Sequence, residues 1–308
     1  MHKKTLGYGN KAAGLVFILP LCFGPSGNIY ASELDAEADA VEQLDRSWCP
    51  AESPAPSYDA YPGTGPYLER AVGVDDWTET FNEYADNETV ECASGKSLRS
   101  HLDVTSQCLR KQTISNGSTG YSASVEHALL DSRGEKYRKI RALAFSLDSQ
   151  GRRVLWTNQE HRLRLYFSSL DEVQPGQASD QGMTMFARYR TEYDHYVASL
   201  KTNGDMFIKQ KLCDHETHID LKVGTFGSPV TTKNWYNLVF RAEDVKHPTT
   251  GAPGVKLTFT VTRPSDGYKK TLTTTQYANR GFPIFPNGTG GFRTDFIRGY
   301  VDDWRVTF

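Results

Sequence analysis

The chain has 308 residues, of which 38% are hydrophobic and 12% aromatic, enough to bury a sizeable core in one or two domains. Its formal net charge is -2, so no overall positive charge favours binding to nucleic acid or to an anionic membrane surface. We therefore predict no nucleic-acid partner, and we expect electrostatic recognition to depend on local groups of charged side chains.

The N-terminal segment has the order of a secretory signal peptide. Lys3, Lys4 and Lys11 precede an apolar run over residues 12–24, and a polar stretch then leads to the small residue Ala31. The apolar run is too short to span a membrane as a helix. We predict cleavage after Ala31, a signal peptide over residues 1–31, no membrane insertion, and secretion to the extracellular space or the periplasm.

Residues 32–70 form the next segment, which is acidic and rich in Ala at first and then dense in Pro, Gly and Ser. This composition predicts a lead-in or linker rather than a packed domain. Residues 33–37, ELDAE, match the catalytic pattern of family 16 glycoside hydrolases. We reject this match because such carboxylates require a strand in the middle of a domain, where alternate residues flank the scissile bond.

The cysteines predict disulfide bonds. Cys22 leaves with the signal peptide, and the remaining Cys49, Cys92, Cys108 and Cys213 are an even number in an exported chain. Four cysteines allow three pairings. We favour Cys92–Cys108 together with Cys49–Cys213, because the first pair closes a short local loop.

From residue 71 to residue 308 the sequence predicts an all-β domain. Short runs rich in Val, Ile, Phe, Tyr and Thr alternate with Gly, Asn, Asp and Pro, and no run has a sustained helical period. Many short strands at this spacing are typical of a two-sheet β-sandwich or a barrel.

One hairpin follows from a favoured turn, Asn203-Gly204, which predicts a two-residue type I′ connection. This turn places Tyr196 opposite Lys211 and positions Lys209 on the same face, because residues directly opposite share a face. That face then points away from the core and combines a tyrosine with two lysines. The residues predicted to face the core are Val197, Ser199, Met206, Ile208 and Leu212, together with Gln210.

The preceding strand carries two arginines. If residues 192–193 form a two-residue turn, Tyr189 shares the face of Tyr196, whereas Arg188 and Arg190 fall on the face toward the core. Burying unpaired guanidinium groups is costly. We therefore expect a β-bulge, a loop of odd length or an exposed sheet edge at this point.

Three segments resemble strands of the concanavalin A-like lectin/glucanase superfamily. YVDDWRVTF (300–308) resembles its closing strand, DDWTETFN (75–82) its opening strand, and NWYNLVF (234–240) the W-Y-x-L strand of laminin-G-like members. The resemblance covers about residues 72–308. It implies a two-sheet jelly roll with a concave face on which members bind or cleave polysaccharides. Separately, we expect the protein to be a monomer.

The same resemblance implies a structural Ca²⁺ between the opening strand and the closing aspartate. The aspartate is Asp302, and Glu79 is the second candidate ligand. Oxygen ligands of this kind suit Ca²⁺. The alternative is that Asp302 and Asp303 are solvated residues at a strand end.

A concave face with tyrosine and lysine is closest in character to the jelly-roll polysaccharide lyases, such as alginate and glucuronan lyases. These enzymes cleave uronate polymers by β-elimination, which requires a neutralised C6 carboxylate, a base for the C5 proton and an acid for the leaving oxygen. Tyr196 is the predicted base and acid. Lys211, helped by Arg188 or His127, is predicted to neutralise the carboxylate. The residues predicted to line the subsites are Lys209, Tyr189 and Arg190.

Two other functions stay open at this point. The Y-F-K-A-G-x-Y and Q-I-H patterns of the family 7 alginate lyases are absent from the sequence, so no catalytic set transfers as a whole. A non-catalytic carbohydrate-binding or adhesion module would use the same groove. A glycoside hydrolase would need two carboxylates that the sequence does not identify. Lysines on a solvent-facing strand also serve solubility, without any ligand.

Overall fold

The computed structural model of the protein describes residues 141–144, 154–170, 181–191, 193–213, 217–278, 283–295 and 297–307, and the backbone of several short strands before residue 141. All of these residues lie in one compact unit, Asp45–Phe308. In this part of the chain, no helix has the length and hydropathy needed to span a membrane.

The described residues form β-strands that follow one another in chain order. They are β1 (Asp76–Glu79), β2 (Thr89–Cys92), β3 (Leu102–Ser106), β4 (Cys108–Thr113), β5 (Tyr121–Ser124), β6 (Leu129–Leu130), β7 (Lys136–Tyr137), β8 (Arg141–Ala144), β9 (Gln159–Leu170), β10 (Gly182–Tyr189), β11 (His195–Lys201), β12 (Asp205–Lys211), β13 (His218–Thr225), β14 (Asn234–Lys246), β15 (Pro253–Arg263), β16 (Tyr268–Tyr277), β17 (Thr289–Asp295) and β18 (Ile297–Thr307).

These strands form two main antiparallel sheets. The larger sheet has the order β16-β15-β14-β9-β18-β5-β4-β2, with β1 also paired to β18, and the smaller sheet has the order β13-β12-β11-β10-β17-β8-β3. Strands β6 and β7 pair separately. The predicted all-β two-sheet sandwich is confirmed. The segments predicted as opening and closing strands are neighbours, because Asp76 lies opposite Thr307 and Glu79 opposite Trp304.

The core lies between the sheets because apolar residues alternate along the strands. In β14, Leu238 and Phe240 are fully buried, whereas Arg241, the next residue of the strand, is exposed. In β10, by contrast, every residue is buried. The smaller sheet therefore has a buried stretch on its outer face, the face that points away from the larger sheet.

The two sheets approach each other closely at Gly290 of β17. A Cβ atom added at Gly290 would overlap the imidazole ring of His161 in β9. The His161 ring is held in place, because its Nε2 atom lies 2.7 Å from Oε1 of Gln159. Only a residue without a side chain fits between the sheets here.

We expect Gly290→Ala to lower the free energy of unfolding by about 3 kcal/mol, because an overpacked interior must shift backbone or side chains. Chemical denaturation measures the change. In a His161→Ala background the ring is gone, so the same Gly290→Ala change should cost less than about 1 kcal/mol. An equal cost in both backgrounds would show that the ring is not what excludes a side chain at Gly290.

Candidate functional site

The β11–β12 hairpin has a longer loop than the sequence predicted. Leu200 lies opposite Met206, and the Gly204 N–H donates to the Lys201 carbonyl oxygen at 2.9 Å. Gly204 has a φ of 92°, a left-handed conformation that suits glycine at the end of a three-residue loop. The predicted type I′ turn at Asn203-Gly204 is therefore wrong by one residue, and that shift exchanges the two faces of β11.

The exchange moves Tyr196 into the core. Tyr196 is fully buried, and its hydroxyl oxygen accepts a hydrogen bond from the Phe285 N–H at 3.3 Å. Burial raises the pKa of Tyr196. The predicted placement of Tyr196 beside Lys209 and Lys211 is wrong, because Val197 and His195 are the residues opposite those lysines. Met206 and Ile208 do face the core as predicted, whereas Val197 and Ser199 lie on the outer face.

Arg188 also lies between the sheets, at a bulge in β10. The register of β10 against β17 shifts between Phe186 and Tyr189, and Arg188 has a φ of 48°. Its guanidinium donates to the Phe285 carbonyl at 2.7 Å and to Asp244 of the larger sheet at 2.6 Å. The expected bulge is confirmed. Arg188 stays on the face toward the core, where it has a partner, and Tyr189 lies on the outer face as predicted, but Tyr196 does not share that face.

Because Tyr196 supports Phe285 rather than a groove, Tyr196→Phe should leave ligand binding and any lyase activity within about twofold of the wild type. Losing one hydrogen bond should lower the free energy of unfolding by about 1 kcal/mol. Activity assays and chemical denaturation of the same preparation measure both effects. Loss of activity with normal stability would restore Tyr196 as a catalytic residue.

The outer face instead brings Tyr189 and His195 together. Their rings stack with centroids 4.8 Å apart and an interplanar angle of 28°. Phe186 lies next to both, 5.4 Å from Tyr189 and 5.0 Å from His195 between ring centroids. A guanidinium N–H of Arg141 donates to the Tyr189 hydroxyl oxygen at 2.9 Å. The two stacked rings thus both contact the Phe186 ring, and the Tyr189 hydroxyl also contacts the Arg141 guanidinium.

The hydrogen bonding of His195 fixes its tautomer. Nδ1 lies 2.9 Å from the Thr191 carbonyl oxygen, which only accepts, so Nδ1 carries the proton and donates it. Nε2 therefore holds a lone pair. Burial lowers the pKa of His195, and the positive charges of Lys211, Arg141 and Arg293 lower it further. The ring is neutral at neutral pH and offers Nε2 as a base.

Three cations belong to this cluster. Lys211 lies opposite His195 in the β11–β12 pair, and Arg141 lies opposite Arg293 in the β8–β17 pair. Arg293 is ion-paired with Asp295 at 3.0 Å. Like charges directly opposite each other destabilise a sheet. The buried Asp295 carboxylate, two residues along β17 from Arg293, offsets part of this repulsion. We call Tyr189, His195, Arg141, Lys211 and Arg293 the Tyr189–His195 cluster.

The other residues predicted for the site lie in different parts of the chain's structure. Lys209, Lys211 and Tyr189 all lie on the outer face of the smaller sheet. Arg190 lies in the turn after β10, where its N–H donates to the Asp194 carbonyl at 3.1 Å. His127 falls outside the described residues.

Sequence reasoning missed His195, Arg141 and Arg293. His195 begins the same DHYVASLK run as Tyr196, and a three-residue loop at Gly204 would have placed it on the outer face. Arg141 and Arg293 lie opposite each other although their strands are far apart in the chain. No local pattern predicts that such strands pair.

The predicted calcium ligands are described only in part. Asp302 is buried, which excludes a solvated strand end for this residue, and its carboxylate lies 3.6 Å from Arg164. Asp303 is exposed and lies 3.1 Å from Arg164. Among the residues with described side chains, a set that excludes Glu79, no three His, Cys, Asp or Glu residues group as metal ligands. Asp302 offers one carboxylate, which a guanidinium already faces, so the calcium site stays a prediction.

The cysteine pairing is compatible with the described backbone. Cys92 and Cys108 lie directly opposite each other in the β2–β4 pair, as the favoured pairing requires. Cys213 is disulfide-bonded. Cys49, its predicted partner, lies outside the described residues, so this pairing stays a prediction.

No family model and no curated protein matches the chain. Similar solved structures include lectin II from Ulex europaeus, with 12% identity, a TM-score of 0.41 and coverage of 76% of this chain and 99% of that one. Winged bean acidic lectin has 13% identity, a TM-score of 0.40 and coverage of 75% and 97%. The VIP36 exoplasmic/lumenal domain has 9% identity, a TM-score of 0.40 and coverage of 71% and 89%. Similarity at this level carries no conclusion about a ligand.

Proposed function

We propose that the outer face of the smaller sheet binds an acidic, uronate-containing polysaccharide, and that the Tyr189–His195 cluster cleaves it by β-elimination. The observation that supports this proposal is the stacked pair of Tyr189 and His195 among the cations Arg141, Lys211 and Arg293. A neutral base, a hydroxyl group and several cations on one face are the groups that this reaction requires.

Each group has a role in the proposed reaction. Arg141, Lys211 and Arg293 bind the C6 carboxylate, so that negative charge developing at C5 is stabilised. His195 Nε2 takes the C5 proton, the C–H electron pair forms the C4–C5 double bond, and the C4–O bond breaks. The Tyr189 hydroxyl gives its proton to the leaving oxygen. The Arg141 guanidinium stabilises the phenolate until Tyr189 regains a proton from solvent, and His195 Nε2 releases the C5 proton to solvent.

A second candidate function is a carbohydrate-binding module without catalysis. One observation favours it: Tyr189 and His195 are each only 3% exposed, whereas the side chains of Arg293 and Lys209 are 31% and 24% exposed. The exposed cations can bind an acidic polymer on the surface without bringing its ring to His195. The two functions thus share a ligand and differ in whether the base reaches C5.

The deciding experiment incubates the mature protein with alginate, glucuronan, ulvan and glycosaminoglycans. A rise in ultraviolet absorbance from unsaturated uronates supports the lyase. Binding without a rise supports the module. New reducing ends without absorbance support a hydrolase and contradict the proposed roles of Tyr189 and His195. The absence of both binding and cleavage on every polymer would contradict an acidic polysaccharide as ligand.

We also propose that the protein is exported as a monomer, with cleavage after Ala31, and that Asp302 and Glu79 hold a calcium ion. Mass spectrometry of the secreted protein should give an N-terminus at Ser32.

Calcium should raise the melting temperature, and Asp302→Asn should remove that rise. A melting temperature that does not respond to calcium or to a chelator would contradict the calcium proposal.

A further inference from the structure

Phe207 on β12 lies on the same outer face as the Tyr189–His195 cluster, opposite Ser199 of β11. It is half-buried and packs against the apolar group of Leu143, Phe186, Tyr189 and Val197. Phe207 therefore extends the apolar group of the outer face along β12, away from Lys211.

Two ammonium groups flank the Phe207 ring. Nζ of Lys209 lies 4.5 Å from the ring centroid, and Nζ of Lys201 lies 5.6 Å from it. An ammonium group is attracted to the face of an aromatic ring, so the ring confines both charges to one region of the groove. Lys209 is held further by Asp220, whose Oδ1 atom lies 3.1 Å from Nζ.

Ordering a flexible side chain costs conformational entropy when it binds a ligand. A lysine that is already confined therefore loses less entropy when it binds an anion. The ring adds an apolar surface suited to the C–H face of a sugar, and the lysines add charge suited to its carboxylate. Phe207 and Lys211 are four residues apart on one strand, so about 13 Å separates their Cα atoms. That distance exceeds one sugar ring and lies within a short oligosaccharide.

We infer that Phe207, Lys201 and Lys209 form a second subsite for an acidic sugar, next along the polymer from the sugar bound at the Tyr189–His195 cluster. This inference rests on the proposed function, because it assigns the same polysaccharide to the same groove. It adds that the protein binds long uronate chains more tightly than short ones. A monosaccharide at the cluster does not reach Phe207.

The test measures binding of a uronate monosaccharide and a uronate hexasaccharide from the polymer that binds best. In the Lys201→Gln, Lys209→Gln double variant, the Kd for the hexasaccharide should rise about tenfold, and that for the monosaccharide should stay unchanged. Phe207→Leu keeps apolar packing but removes the ring, and it should raise only the hexasaccharide Kd, by about threefold.

Lys256→Gln is the matched control. Lys256 is a 45% exposed lysine on the larger sheet, paired with Glu243, so its loss removes a charge far from the groove. The control should leave both affinities unchanged. Equal loss for both saccharides, or no loss for the hexasaccharide, would overturn the subsite while the proposed function stands. A wild-type protein that binds no uronate oligosaccharide would overturn both.

Discussion

Replacing His195 with glutamine should reduce the rate of elimination by about a thousandfold, because glutamine has no basic lone pair to take the C5 proton. Polysaccharide binding should change by less than about threefold, since Arg141, Lys211 and Arg293 remain. Absorbance assays at saturating substrate and direct binding measurements separate the two effects. Tyr189→Phe should reduce the rate similarly while keeping the stacked ring.

The control for this prediction is His247→Gln. His247 lies in the turn after β14, and its Nδ1 atom accepts hydrogen bonds from the N–H groups of Thr249 and Thr250. It has no contact with the Tyr189–His195 cluster among the described residues, so activity should not change. If His195→Gln retains full activity, the base lies elsewhere. If binding falls together with the rate, His195 contacts the ligand in its ground state rather than acting only as a base.

The fold was predictable because hydrophobic alternation identifies strands without any knowledge of their partners. Two segments predicted as strands, NWYNLVF and VKLTFTVTRP, lie in the neighbouring strands β14 and β15, and Leu238 and Phe240 face the core. The pairing of the terminal strands was also accessible, since two short motifs resembled a known opening and closing pair. Neither inference required the exact register of any hairpin.

The site depended on register and was therefore harder to predict. One extra loop residue before Asp205 exchanged Tyr196 for His195 on the outer face, whereas the bulge at Arg188 left Arg188 between the sheets and Tyr189 on the outer face. A turn such as Asn203-Gly204 fits loops of two or three residues equally well, because Gly204 adopts a left-handed conformation in either. The residue types that the sequence indicated, tyrosine with cations, are present, but different members of the same strands supply them.

Buried polar side chains add a second difficulty. Tyr196 was predicted to line a groove, and Arg188 and Gln210 were predicted on the face toward the core without a partner. All three side chains bind the backbone of residues 283–285. That segment is not part of a strand and Phe285 in it is buried, so its carbonyl and N–H groups require partners from side chains. The sequence gives the polar residues without showing that a backbone segment needs them.

His161 makes stability depend on pH. It is fully buried on β9, and burial lowers its pKa from 6.5 to about 3 in the folded protein. As pH falls below about 6.5, the unfolded chain takes up a proton that the folded protein does not, so the free energy of unfolding decreases until pH reaches about 3. Between pH 7 and pH 5 this one residue should remove about 2 kcal/mol of stability.

Denaturant titrations at several pH values measure this loss. His195 is also buried with a lowered pKa, so the wild type should lose about twice what one histidine removes. His161→Gln should abolish half of the loss, and adding His195→Gln should abolish nearly all of it. These differences appear above pH 5, where most carboxylates remain ionised and contribute little. A pH dependence that is unchanged in His161→Gln would mean that the folded protein accommodates a charged imidazole next to Gln159, contrary to the burial described above.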